Sequence, residues 1–213
     1  EDPANGPAQL GVARAMLQAH RLDEAVTHFR RASTARWPSQ PEQNRIHARI
    51  DLADALLRNG RVPAGQTELR ALASAPIADR AAAKQVGRML LDHSLAPEAA
   101  ELYRRLLAAD RQDTSALEGL ADALFAGRDY EGARTQYRAA LALDPADARV
   151  SARLDTIDRI IIRCMILHDG GMTERQVAAL ISKAIGRSYS HQSVHKRVPE
   201  AAKRLARLMN YPC

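Results

Sequence analysis

Apolar residues recur along most of the chain at spacings of three and four, the period of helices that bury one face. In each of four stretches a small residue is followed three positions later by a large apolar one: Ala13 and Met16, Ala53 and Leu56, Gly87 and Leu90, Ala121 and Leu124. A second stretch then places a small, a large and another apolar residue at i, i+4 and i+7. The four sets are Ala25, Phe29 and Ala32; Gly65, Leu69 and Leu72; Ala99, Tyr103 and Leu106; Ala133, Tyr137 and Ala140. The pattern predicts four helix pairs, in which a small residue on one helix admits a large side chain from its neighbour. Successive copies are displaced by 40, 34 and 34 residues. The longer first step carries about six additional residues around Trp37-Pro38-Ser39-Gln40-Pro41.

Boundary residues agree with paired helices. Pro63 and Pro97 stand where second helices begin, a position at which a missing N–H costs nothing. Gly60 and Gly127 stand where first helices end, and glycine tolerates the left-handed dihedrals used there. Ser115-x-x-Glu118 has the spacing of a capping box. From 148 to 168, Val150, Leu154, Ile157, Ile161, Cys164 and His168 or Met165 keep the helical period and predict a further helix that caps the last pair. A strand over 160–167 is the alternative, since a short apolar run fits either period.

The best copy reads Leu117-x2-Leu120-Ala121-x2-Leu124-x2-Gly127-x2-Tyr130-x2-Ala133-x3-Tyr137-x2-Ala140-x4-Pro145. It resembles the tetratricopeptide repeat, a 34-residue helix-turn-helix unit. The resemblance covers residues 6–146. It implies an all-α fold: a right-handed solenoid of four helix pairs with a capping helix at 147–169. It also implies a concave groove, lined by first helices, that binds a protein or peptide ligand. By that geometry Arg14, Asp54, Lys84, Arg88, Glu118 and Asp122 face the groove. Family members that grip a C-terminal carboxylate do so with Lys and Asn side chains. Leu10, Arg14, Asp51 and Asp54 stand at the corresponding places here, so that clamp is not reproduced.

Composition narrows the classes. Hydrophobic residues make up 46% of the chain but aromatic ones only 4%, so the core is built from Ala and Leu, both strong helix formers. No apolar stretch approaches the roughly 20 residues of a membrane span, and membrane insertion is not expected. Two cysteines cannot build a disulfide scaffold. No nucleophile motif, phosphate loop or paired carboxylate stands out, which predicts a non-enzymatic protein with no small-molecule substrate and no cofactor. Cys164-x3-His168 and His191-x3-His195 could each offer two metal ligands, but helix packing and the reading of the tail below account for them without a metal.

The net charge of +6 is local. Residues 1–169 hold 23 basic and 23 acidic side chains, whereas 170–213 hold eight of the 31 basic and two of the 25 acidic ones. Within that tail, Thr173-x-x-Gln176 opens an amphipathic stretch ending at Gly186, and Ser190 opens a second stretch through His191-Gln192-Ser193-Val194-His195-Lys196-Arg197. Residues 172–210 resemble the helix-turn-helix of bacterial sigma-factor-like DNA-binding domains. The resemblance implies duplex DNA as a partner. Ser190, Gln192, Ser193 and Lys196 would approach bases or flanking phosphates, and Arg187 and Arg197 would neutralise phosphate charge. A basic helix face that only caps the solenoid is the alternative. The first reading places the protein in the cytoplasm. The second suits a bacterial envelope scaffold for a secretion or polysaccharide complex, periplasmic if a signal peptide was removed before Glu1.

Overall fold

A computed structural model of the protein describes residues 5–168, with side chains through residue 160. The described residues form helices α1 (Gly6–Gln18), α2 (Leu22–Thr34), α3 (Pro41–Arg58), α4 (Val62–Ser74), α5 (Arg80–Asp92), α6 (Ala96–Ala109), α7 (Thr114–Ala126), α8 (Tyr130–Leu143) and α9 (Ala148–His168). The chain divides into two units after Arg128, the first holding α1 to α7 and the second α8 and α9. Among the described residues every regular element is an α-helix, as the repeat implied, and within the first unit the helices stack as successive pairs. In the first unit α1 packs on α2, α3 on α4 and α5 on α6, while α2 and α6 also pack on the next first helix. In the second unit α8 packs on α9. The helix over 148–168 replaces the strand alternative for 160–167.

Every small packing position of the eight repeat helices is buried, from Ala13 and Ala25 to Ala121 and Ala133. The large partners of the second helices, Phe29, Leu69, Tyr103 and Tyr137, are buried with them. Gly65 departs from the Ala of the other copies for a steric reason: a Cβ there would lie 2.5 Å from Leu57 Cγ. Leu57 fills the space that the missing methyl leaves.

First helices end in one recurring turn. His20, Gly60, Ser94 and Arg128 adopt φ between 58° and 78°, one per repeat. In the first three turns the next residue donates its N–H to the carbonyl of the large apolar residue inside the helix: Arg21 to Met16, Arg61 to Leu56 and Leu95 to Leu90. These are Schellman closures. Gly60 occupies the left-handed position as expected, but Gly127 does not. It is right-handed at φ −77°, and Arg128 takes the left-handed conformation one residue later.

First helices begin differently from the expectation as well. Asp113, not Ser115, caps α7, its carboxylate accepting from the Ala116 amide at 3.1 Å. Asp79 caps α5 by accepting from Ala81 and Ala82. Asp147 accepts from Arg149 and Val150 at the start of α9. Asp therefore recurs at 79, 113 and 147 with the repeat's own 34-residue period.

In the second unit Asp158 of α9 is buried, 3.7 Å from Arg134 of α8, and one of its carboxylate oxygens has no hydrogen-bond partner among the described residues. Burial raises its pKa, and the nearby Arg138 and Arg134 only partly oppose this. A carboxyl raised in the folded state stabilises the fold while protonated and loses that contribution as pH rises through its folded pKa. Asp158→Asn is therefore expected to raise the melting temperature at neutral pH. An unchanged or lower value in calorimetry would contradict this account.

Candidate functional site

The first helices α1, α3, α5 and α7 carry the six side chains expected to face a groove, all within the first unit. Their surroundings differ. Arg14 is exposed and pairs with Asp51 of α3 at 2.7 Å, joining two successive first helices. Asp54 pairs within its own helix, with Arg58 at 2.8 Å. Lys84 pairs with Asp113 at 2.8 Å, and Arg80 reaches the same carboxylate at 2.6 Å. Arg88 is exposed, and its charge, with those of Asp122 and Asp92, acts on the Tyr103 phenol. Glu118 and Asp122 are half-buried.

The N-cap Asp of α5 and that of α7 each tie their helix to the preceding first helix. Asp79 of α5 accepts from Gln43 of α3 at 2.7 Å and lies 3.7 Å from His47. Asp113 of α7 is gripped by Arg80 and Lys84 of α5 and is only 7% exposed. Burial raises the Asp113 carboxyl, but hydrogen bonds from Lys84, Arg80 and the Ala116 amide outweigh it and hold the group below the usual carboxylate range. Asp79 is held low mainly by the Ala82 amide. The same carboxylate thus caps one helix and binds the preceding one.

Tyr103 completes this face from below. Its ring, rooted on α6, lies against Gly87 of α5 and Gly119 of α7, where Cβ atoms would collide with it. Its hydroxyl donates to the Lys84 carbonyl at 3.4 Å. Burial pushes the phenol pKa up to about 12, so it stays neutral at physiological pH.

Lys84 and Arg88 appeared equivalent in sequence, as two basic groove residues. They are not. Lys84 is a half-buried structural cation whose reversal would set two carboxylates together, so it is unsuited to testing binding alone. Arg88 is the exposed cation of α5. Sequence reasoning missed Asp51, Asp79 and Asp113 as organisers of the face, although the 34-residue Asp period was a readable signal for the last two.

Residues 172–210, with Arg187, Ser190, Gln192, Ser193, Lys196 and Arg197, lie outside the described residues, as do His191 and His195 and the side chains of Cys164 and His168. Among the described residues, no cluster of His, Cys, Asp or Glu could hold a metal ion. Among them too, no helix is long and apolar enough to cross a membrane.

Comparison with known proteins bears on the repeats. Residues 50–114 and 87–148 each match the tetratricopeptide repeat. Solved structures similar to the chain include MamA 41-end from Desulfovibrio magneticus RS-1, at 16% identity over 87% of this chain and 95% of that one, with a TM-score of 0.48. MamA MSR-1 C2 shows 17% identity over 91% of this chain and 98% of that one, with a TM-score of 0.46. No curated protein matches the sequence.

Proposed function

We propose that the tetratricopeptide repeats of this chain form a non-enzymatic scaffold, and that the face of first helices α1, α3, α5 and α7 binds a protein or peptide partner. The observation that carries this reading is the way the face is fixed before any partner arrives. Arg14–Asp51 links α1 to α3, Gln43–Asp79 links α3 to α5, and the Asp113 cluster links α5 to α7. A surface ordered in advance loses less side-chain and segmental entropy on binding. Charge then sets the partner: Arg88 on α5 stands between Asp54 on α3 and Glu118 and Asp122 on α7. A ligand with an acidic side chain opposite the exposed Arg88 fits this face. Arg88→Glu should weaken capture of the partner at least about tenfold, a change of about 1.4 kcal/mol, while leaving the melting temperature nearly unchanged. Capture that is insensitive to this reversal would remove the face from the account.

The basic segment 170–213 adds a second binding mode, duplex DNA through Arg187, Ser190, Gln192, Ser193, Lys196 and Arg197, supported by its local excess of positive charge. If about four to six phosphates are neutralised, the affinity of the full chain should fall with salt at a log–log slope near −4 to −5, and Arg187→Ala and Lys196→Ala should flatten it. Negligible binding by parent and variants alike would leave the segment as a cap only. With DNA binding the scaffold would act in the cytoplasm; without it, the envelope reading becomes the better one.

A further inference from the structure

The additional residues of the second repeat build a feature that the repeat surface does not use. Helices α1, α5 and α7 begin seven residues before their small packing residue, Gly6 before Ala13, Arg80 before Gly87 and Thr114 before Ala121. Helix α3 begins at Pro41, twelve residues before Ala53. Five of the extra residues are therefore helical and lengthen α3 by about 7.5 Å at 1.5 Å per residue. The extension lines an open cleft of about 1180 Å³. The segment Pro76-Ile77-Ala78-Asp79, which leads into α5, forms a second wall, and Leu102 and Leu106 of α6 complete it. Small-ligand sites run to about 300–1,000 Å³, so this cleft has room for several side chains of a peptide.

Two further observations define what fits there. The segment 76–79 belongs to no helix, and among the described residues no hydrogen bond engages the N–H groups of Ile77 and Ala78 or the carbonyls of Pro76, Ile77 and Ala78. A stretch of backbone with free donors and acceptors beside an apolar cleft can pair with an extended chain. The charges around the cleft are already engaged within the molecule. Glu42 is paired with Arg45, Asp79 with Gln43 and the α5 amides, Arg80 with Asp113 and Asp110, and Arg105 donates to the Ala73 carbonyl. Two acidic and two basic groups leave the lining without net charge, so it favours neither sign of charge in an occupant.

We propose that this cleft binds an uncharged, extended peptide strand of a partner protein, which pairs with the backbone of Ile77 and Ala78 and seats an apolar side chain against Ile46, Ile77, Leu102 and Leu106. The site is separate from the first-helix face, so the scaffold would engage partners in two modes, one read by charge and one by backbone pairing. The inference does not depend on the groove proposal.

The test pans a phage-displayed random library of about 12-residue peptides against the purified full chain and measures the selected peptide against variants. Uncharged sequences with alternating apolar residues should be enriched, as strand pairing places alternate side chains in one cleft. Ala78→Pro removes an unbonded donor at an exposed position, and Ile77→Glu sets a charge in the cleft. Each should weaken the selected peptide at least about tenfold. Arg88→Glu should leave its affinity unchanged, which separates this site from the first-helix face, and melting curves should show Ala78→Pro folded like the parent. Four results would overturn the proposal: no enrichment, enrichment of charged peptides, affinity that ignores both cleft variants, or self-association of the chain abolished by Ile77→Glu. The last would make a second copy the occupant.

Discussion

Replacing Tyr103 with alanine is expected to destabilise the first unit by about 3–5 kcal/mol in urea denaturation, the range for truncating a buried aromatic side chain. The large value follows from what the ring holds apart and together. Rooted on α6, it fills the space left by two glycines, Gly87 on α5 and Gly119 on α7, and so fixes the spacing of two neighbouring first helices. Tyr103→Phe keeps the ring and loses only the 3.4 Å hydrogen bond to the Lys84 carbonyl, so it should cost about 1 kcal/mol. The reciprocal change, Gly119→Ala, forces a methyl group into the ring and should cost about 1–3 kcal/mol. Combined with Tyr103→Ala, that methyl enters an emptied space and its penalty should vanish, giving a coupling of similar size in a double-mutant cycle. Additive effects would mean that the ring and the glycine do not share one contact.

The second large effect is expected at Asp113. Asp113→Ala removes the α7 cap, worth about 1 kcal/mol, and leaves Lys84 and Arg80 without their shared carboxylate. Both cations keep partial access to water, so the total should be near about 2 kcal/mol, below the roughly 3–5 kcal/mol of a fully buried broken pair. The pH dependence has a definite sign. Asp113, Asp79 and Asp147 all have carboxyls held below the ordinary value of 3.8, so each stabilises the fold above that pH and loses its contribution as pH falls through its folded pKa. Acid melts should show stability falling below about pH 4, the ordinary carboxylate range, and Asp113→Asn should flatten that fall. A profile indifferent to Asp113→Asn would show that its hydrogen bonds do not favour the charged form.

The fold was legible because its packing code is repetitive. Ala, Gly and large apolar residues recur at fixed offsets, and all of these positions proved buried except Met16 and Leu124, which are half-buried. The misreadings came from effects that depend on the neighbouring element. Gly127 looked like the left-handed closing residue, but the turn geometry places that role on the residue after it, so Arg128 bears the unfavourable dihedral. Ser115-x-x-Glu118 has capping spacing, yet Asp113 lies two residues earlier and also faces two cations from α5, which decides the helix start. The extra residues before α3 resembled a longer link. Pro41 instead opens the helix early, since proline at a first turn forgoes only an N–H that has no helical partner.

The site was only partly legible for the same reason. Which residues lie on first helices followed from the repeat, but which of them are engaged by the fold did not. Lys84 and Arg88 are one helical turn apart on α5, and only the packing of α7 assigns Lys84 to Asp113. The edge cleft was hidden because no motif marks it. It arises from an early helix start and a segment in which the backbone groups of Ile77 and Ala78 have no hydrogen-bond partner among the described residues.

The central claim is that the first-helix face of the repeats is a protein-binding surface, and site-specific photo-crosslinking tests it most directly. A photoreactive amino acid is placed at Gln85 or Arg88 on α5, or at Thr67 on α4 and Arg104 on α6 as exposed positions of second helices. The full chain is then irradiated in a lysate of the organism that encodes it. The account predicts one protein adduct from the α5 positions that is absent from Thr67 and Arg104 and is suppressed by Arg88→Glu in the Gln85-labelled chain. The same adduct from all positions alike, or from the second-helix positions alone, would contradict it.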